Sequence, residues 1–146
     1  MSQLQHARSF KDLIVYGKAR ATAKRIFGVT KRFPKEEMYS LTDQARRSSR
    51  SVGAQIAEAW AKRRYERHFV SKLTDADGEQ QETQHWIETA ADCEYLTQEE
   101  VGSLNSDLSE IGRMLSSMME KAASVCGEPA STLRESTVDY FTTTDD

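Results

Sequence analysis

The sequence is poor in the features that cross-link a chain, anchor it in a membrane or export it. Its two cysteines, Cys93 and Cys126, lack the paired spacing of a disulfide framework or a zinc site. No apolar run approaches the length that spans a membrane, and the opening residues MSQLQHARSFKD lack the apolar stretch of a secretion signal. We therefore expect a cytoplasmic protein that makes no membrane contact.

Motifs of catalysis and metal binding are also missing. There is no G-x-S-x-G, no P-loop glycine pattern and no cysteine placed as a partner for a catalytic histidine. The one metal-like motif is Glu82-x-x-His85, but bundle di-iron sites need two such motifs, and neither His6 nor His68 follows a glutamate by three residues. We predict no catalytic residue, no metal and no cofactor, and expect a protein that is not an enzyme.

Charge is distributed very unevenly along the chain, although the formal net charge is only −3. Residues 1–67 hold 16 Lys and Arg against 6 Asp and Glu, a net of +10, and residues 68–146 hold 4 against 17, a net of −13. Two interpretations compete. Basic helices can pack beside acidic helices of the same or a neighbouring subunit, or the basic half can face a polyanion.

Hydrophobic periodicity predicts four amphipathic helices and an all-α fold. We place them at about residues 10–30, 41–64, 66–93 and 97–122, with Thr97 and Glu100 as a capping box. The third and fourth helices carry heptad-like patterns, at Phe69, Leu73, Ala76, Gln80, Thr83, Ile87 and Ala90, and at Val101, Leu104, Leu108, Ile111, Leu115, Met118 and Ala122.

Short links between these helices predict an antiparallel up-down-up-down four-helix bundle over residues 1–122. Residues 123–146 are rich in Ser, Thr and acids, and we predict a flexible acidic tail. The apolar arc of the first helix is wider than one packing partner requires, which favours burial against a second surface such as another subunit.

The segment 41–64 combines small side chains with a larger apolar stripe at Leu41, Val52, Ile56 and Trp60. It opens with L-T-D-Q-A-R-R at 41–47 and continues with S-V-G-A-Q-I-A-E-A at 51–59. F-P-K-E-E at 33–37 precedes it and Y-L-T-Q-E-E at 95–100 follows. Together these motifs resemble the four-helix-bundle proteins encoded in 23S rRNA intervening sequences, over about residues 10–122. Gly53, Gln55 and Ala59 depart from that family's usual proline, asparagine and glycine.

The resemblance implies a bacterial all-α bundle that assembles into a ring-like homo-oligomer, typically a homopentamer. Related bundles are the accessory variability determinant proteins of diversity-generating retroelements. There a basic ring surface meets a reverse transcriptase and nucleic acid. The expected partners are thus further copies of the chain itself, and RNA or a reverse-transcriptase-like enzyme.

The candidate nucleic-acid-binding residues are the cations of the second helix and its end: Arg46, Arg47, Arg50, Lys62, Arg63, Arg64 and Arg67. Arginine suits phosphate because its planar fork makes two hydrogen bonds, and the neighbouring Trp60 and Tyr65 can stack on bases where they are exposed. A second basic group lies along the first helix and just past its end, at Lys18, Lys24, Arg25, Lys31 and Arg32.

Two functions follow from these observations. The first is a non-enzymatic oligomeric scaffold or accessory protein that binds nucleic acid, or an enzyme acting on it, through a basic face. Against it, the sequence pI of about 5.7 is low for a nucleic-acid binder. The alternative is a purely structural self-assembling bundle whose basic and acidic halves pair at subunit interfaces, with a protein partner.

Overall fold

Four long helices make up most of the computed structural model, which describes residues 7–126. They are α1 (Ile14–Thr30), α2 (Leu41–Ala61), α3 (Glu66–Asp92) and α4 (Gln98–Glu120). Short 3-10 helices at Phe10–Asp12 and Lys35–Glu37 precede α1 and α2, and a brief helix α5 (Ala122–Cys126) follows α4. The described range contains no strand, so the predicted all-α fold with four long helices is confirmed.

The helix starts agree with the sequence at α4 and differ at α1. The Thr97 hydroxyl accepts from the Glu100 backbone N–H at 3.1 Å, and the Glu100 carboxylate accepts from the Thr97 N–H at 2.9 Å, as a capping box requires. The first helix begins at Ile14 rather than near residue 10. The buried Leu13 takes an extended conformation, which separates the 3-10 helix from α1.

The core lies where the two heptad-like patterns place it. Every predicted position of both patterns is buried, which confirms them. The apolar residues form two clusters along the bundle, one around Trp60 and Phe69 and the other around Ile26, Phe33 and Ile87.

A polar layer lies between these two clusters. The Thr83 hydroxyl is fully buried and lies 2.8 Å from both the Ser48 hydroxyl and the Glu79 carbonyl oxygen. Gln80 is 4% exposed and donates to Asp77 at 2.9 Å. The two polar positions in the third helix's pattern are therefore hydrogen-bonded, which avoids the cost of burying them without partners.

Contacts between neighbouring helices join late residues of one helix to early residues of the other. Glu58 with Lys72 and Ser48 with Thr83 join α2 to α3. Thr74 with Met119 and Glu88 with Asn105 join α3 to α4. Lys18 with Glu110, and Arg32 just after α1 with Glu100, join the first helix to α4.

The described chain continues past the predicted bundle boundary at residue 122. Val125 and Cys126 of α5 are buried, so residues assigned to the tail pack on the bundle as far as Cys126. The rest of the predicted tail, residues 127–146, lies outside the described residues, and its separation from the bundle stays a prediction. Across residues 7–126 no helix has both the length and the apolar character of a membrane span.

Candidate nucleic-acid interface

A groove of about 740 Å³ runs between α1 and α2 and carries only positive charge. Its charged lining residues are Arg20, Lys24 and Arg50, and no acidic side chain lines it. Helix α1 itself contains four cations and no acid. We call this surface, lined by these three cations with Phe10, Tyr16 and Phe27, the basic groove.

One aromatic ring at the edge of this groove gathers three cations. The Arg46 and Arg50 guanidinium carbons lie 4.6 Å and 5.4 Å from the centroid of Phe27, and Lys31 Nζ lies 4.7 Å from it. Arg46 is also fixed by donating from Nε to the Thr30 hydroxyl at 2.8 Å. Attraction to the ring holds these charges together. We call Lys31, Arg46 and Arg50 around Phe27 the Phe27 cluster.

None of the three has a neutralising partner among residues 7–126. No carboxylate in that range lies within ion-pair distance of Lys31, Arg46 or Arg50. Like charges held close without counter-charges raise the local potential and attract anions. Arg47, the next residue after Arg46, is exposed and lies outside the cluster.

The remaining predicted site residues lie at the other end of α2, around its link to α3. We call Lys62, Arg63, Arg64 and Arg67 the basic end. Arg63 is half-buried, because Nη1 donates to the Trp60 carbonyl at 2.8 Å and the guanidinium lies 4.2 Å from the indole centroid. The other three are exposed.

The two aromatic residues near the basic end differ in accessibility. Trp60 is only 4% exposed, so it belongs to the core and is closed to a base. Tyr65 is 58% exposed, with Arg64 at 6.0 Å from its centroid and the His68 ring at 5.5 Å. Only Tyr65 keeps a face that a base can reach.

The predicted site therefore divides into two surfaces. Lys62 follows Arg46 by 16 residues, which is about 24 Å along a helix at 1.5 Å per residue. Arg46 and Arg50 share the Phe27 cluster, and the basic end is separate. Sequence reasoning did not assign Phe27 and Arg20 to the site. The only local signal was the four-residue spacing of Phe27 to Lys31 and of Tyr16 to Arg20, which places each pair on one helix face.

The second basic group, along α1, is divided in a different way. Three of its cations pair with acids of α4 in the same chain: Lys18 with Glu110 at 3.3 Å, Arg25 with Asp107, and Arg32 with Glu100. The Thr97 backbone N–H and the Arg32 guanidinium hold the pKa of Glu100 below its usual value. Part of the charge asymmetry is thus offset within one chain, and Lys24 and Lys31 remain on the side toward α2.

The metal-like motif of α3 is engaged in other contacts. Trp86 Nε1 donates to Glu82 at 3.0 Å, and the His85 ring lies 4.7 Å from the indole in an edge-on arrangement. Within residues 7–126, no three metal-ligating side chains come together.

Comparison with known proteins gives a family match and similarity to solved structures. The family model for the 23S rRNA-intervening sequence protein matches residues 11–117. The chain is also similar to the crystal structure of a protein of unknown function from the S23 ribosomal protein family of Bacteroides thetaiotaomicron. Identity is 33% and the TM-score is 0.67, over 73% of this chain and 96% of that one. No curated protein matches this chain.

Proposed function

Because the chain belongs to the family of 23S rRNA-intervening sequence proteins, we propose that it is a non-enzymatic accessory protein that binds RNA through the basic groove. The observation that carries this proposal is the Phe27 cluster, three cations on one ring with no carboxylate of residues 7–126 within ion-pair distance. Binding by charge needs no catalytic group. In this proposal the protein acts in the cytoplasm as a ring-like homo-oligomer, a pentamer as the family resemblance implies.

The chemistry of the groove suits phosphate. Guanidinium groups bind phosphate oxygens with two parallel hydrogen bonds, and an RNA backbone offers one charge at every nucleotide. Releasing condensed counterions from the RNA then drives association. Arg46 and Arg50 are already ordered against Phe27, so little conformational entropy is lost when they bind.

Two further observations support the bundle and its assembly. Contacts that run in opposite directions along neighbouring helices support the antiparallel up-down-up-down arrangement. On α1, Ile14 is 53% exposed, and the small residues Gly17, Ala21 and Gly28 are exposed at helical spacing from it. Such a surface allows close approach of another helix, which supports self-association beside the basic groove.

The second candidate is the purely structural oligomer whose basic and acidic halves pair between subunits. It is favoured by the pairing of Lys18, Arg25 and Arg32 with acids of α4, since the same matching can operate across an interface. In that case the basic groove would be covered by acids of a neighbouring subunit. High salt would then lower the mass of the assembly, and added RNA would have no effect.

The test is binding of a structured RNA across a salt series, measured by fluorescence anisotropy, with the assembly mass followed by light scattering. We expect the logarithm of the affinity to fall linearly with the logarithm of salt concentration while the mass holds steady. Lys31→Gln with Arg50→Gln should lower the magnitude of that slope by up to about 1.8, since each lost phosphate contact accounts for about 0.9 on a duplex.

The matched control is Lys18→Gln with Arg25→Gln. It removes the same charge from cations that already pair with acids of α4, so the slope should stay nearly unchanged. Equal slopes for the two double variants would refute the assignment to the basic groove. Absence of binding at low salt would refute RNA binding itself and favour the structural oligomer.

A further inference from the structure

Three cations of the basic end are exposed and form no ion pair within residues 7–126. Lys62, Arg64 and Arg67 are exposed, and no carboxylate of residues 7–126 lies within ion-pair distance of them. The nearby Glu58 is paired with Lys72 at 2.9 Å. Tyr65, in the middle of this loop, is 58% exposed. The surface thus combines three available cations with an open aromatic face.

The chain leaves the described structure beside this same surface. Cys126 is buried in the core cluster that contains Trp60 and Phe69, the residues that flank the α2–α3 loop. Arg63 in that loop and Glu66 at the start of α3 lie close enough to influence the Cys126 thiol electrostatically. Whatever follows Cys126 therefore starts next to the basic end.

The 20 residues that follow have the complementary composition. Residues 127–146 contain five acids and one base, Arg134. The acids are Glu128, Glu135, Asp139, Asp145 and Asp146. This segment also holds two adjacent aromatic residues, Tyr140 and Phe141.

We propose that residues 127–146 bind the basic end of their own chain, with carboxylates on Lys62, Arg64 and Arg67 and the aromatic pair against Tyr65. Covalent connection makes this encounter intramolecular, and a short tether gives an effective concentration in the millimolar range. The nearest α2 residue of the Phe27 cluster, Arg50, precedes Lys62 by 12 residues, which is about 18 Å along a helix at 1.5 Å per residue, so the basic end is the nearer target. A bound tail neutralises one basic surface and leaves the basic groove as the surface open to a polyanion.

Carbodiimide coupling of the full chain tests this directly, because it joins a lysine amine to a carboxylate that contacts it. Lys62 supplies the amine at the basic end. Lys24, exposed in the basic groove with no acid in ion-pair distance among residues 7–126, supplies the control amine. We expect peptides that join Lys62 to residues 127–146 to exceed those that join Lys24 at least several-fold, and to fall at about 1 M salt, where screening reaches 3 Å.

Two variants separate docking from chance encounter. Arg64→Gln with Arg67→Gln keeps Lys62 but removes its neighbours, and the Lys62 yield should fall at least threefold. Lys31→Gln with Arg50→Gln removes the same charge elsewhere and should leave that yield unchanged. Equal yields at Lys62 and Lys24, or no loss in the first variant, would overturn the proposal.

A mixture of isotope-labelled and unlabelled protein assigns the coupling to one chain or two. When equal amounts of the two are unfolded and refolded together, joined peptides should carry a single label state. A mixed-label share as large as random pairing of chains gives would overturn binding within the same chain. No RNA is present in this experiment, so the inference does not rest on the proposed function. If tail binding fails this test, the proposal of RNA binding is unaffected, and the reverse also holds.

Discussion

Replacing Gly112 by alanine should leave the protein less stable than replacing Gly102, in the same helix, by alanine. A Cβ at this buried position would lie 2.7 Å from Gln80 Nε2 and 3.2 Å from Asp77 Oδ1, so Gln80 must move. That amide is held at both ends, because Nε2 donates to Asp77 at 2.9 Å and Oε1 accepts from Gln84 at 2.8 Å.

The magnitude follows from a matched glycine in the same helix. Glycine to alanine within a helix gains about 1 kcal/mol in either position. Displacing the Gln80 amide weakens two hydrogen bonds worth about 0.5–1.5 kcal/mol each. A Cβ at Gly102 would meet no atom of another helix within 4 Å, so nothing opposes the gain in stability there. Gly112→Ala should therefore be less stable than Gly102→Ala by about 1–3 kcal/mol.

Urea unfolding followed by helical circular dichroism measures both free energies under the same conditions. Removing the amide with Gln80→Ala should shrink the difference between the two alanine variants, because the nearest clash partner is gone and Asp77 Oδ1 at 3.2 Å remains. The reasoning fails if Gly112→Ala and Gly102→Ala unfold with equal free energy. It also fails if their difference is undiminished in the Gln80→Ala background.

Three further predictions test the core and the polar contacts. Leu108→Ala should lower the free energy of unfolding by about 2–5 kcal/mol in urea titrations, because this side chain is 1% exposed. A thiol reagent should label exposed Cys93 in the folded protein but Cys126 only on unfolding, since burial raises its pKa to about 12. Hydrogen bonds from Ser40 and Tyr95 to the Glu37 carboxylate lower its pKa. The ionised carboxylate therefore stabilises the fold above pH 4.5, and this stabilisation is lost as the pH falls through the lowered pKa. Tyr95→Phe should therefore lose less stability on acidification in pH-dependent thermal melts.

Prediction from the sequence succeeded where structure depends on local geometry. A helix brings residues three and four positions apart onto one face, so the patterns of α3 and α4 identified buried residues such as Leu73 and Leu108 before any packing was known. The same reasoning found Thr97 and Glu100, because a capping box joins groups three residues apart. It placed the start of α1 too early, since the extended Leu13, buried in the core, separates the 3-10 helix from α1.

By itself, the sequence determined the helices, their buried faces, the family and the charge asymmetry, because each of these is a short-range pattern or a sum over residues. Which cations remain available was decided only by tertiary structure. Arg25 and Arg50 are equivalent as charges in a sequence, yet Arg25 meets Asp107 of α4 and Arg50 meets Phe27 of α1. The partners of Arg25 and Arg50 lie 82 and 23 residues away, and helix packing alone sets those distances in space.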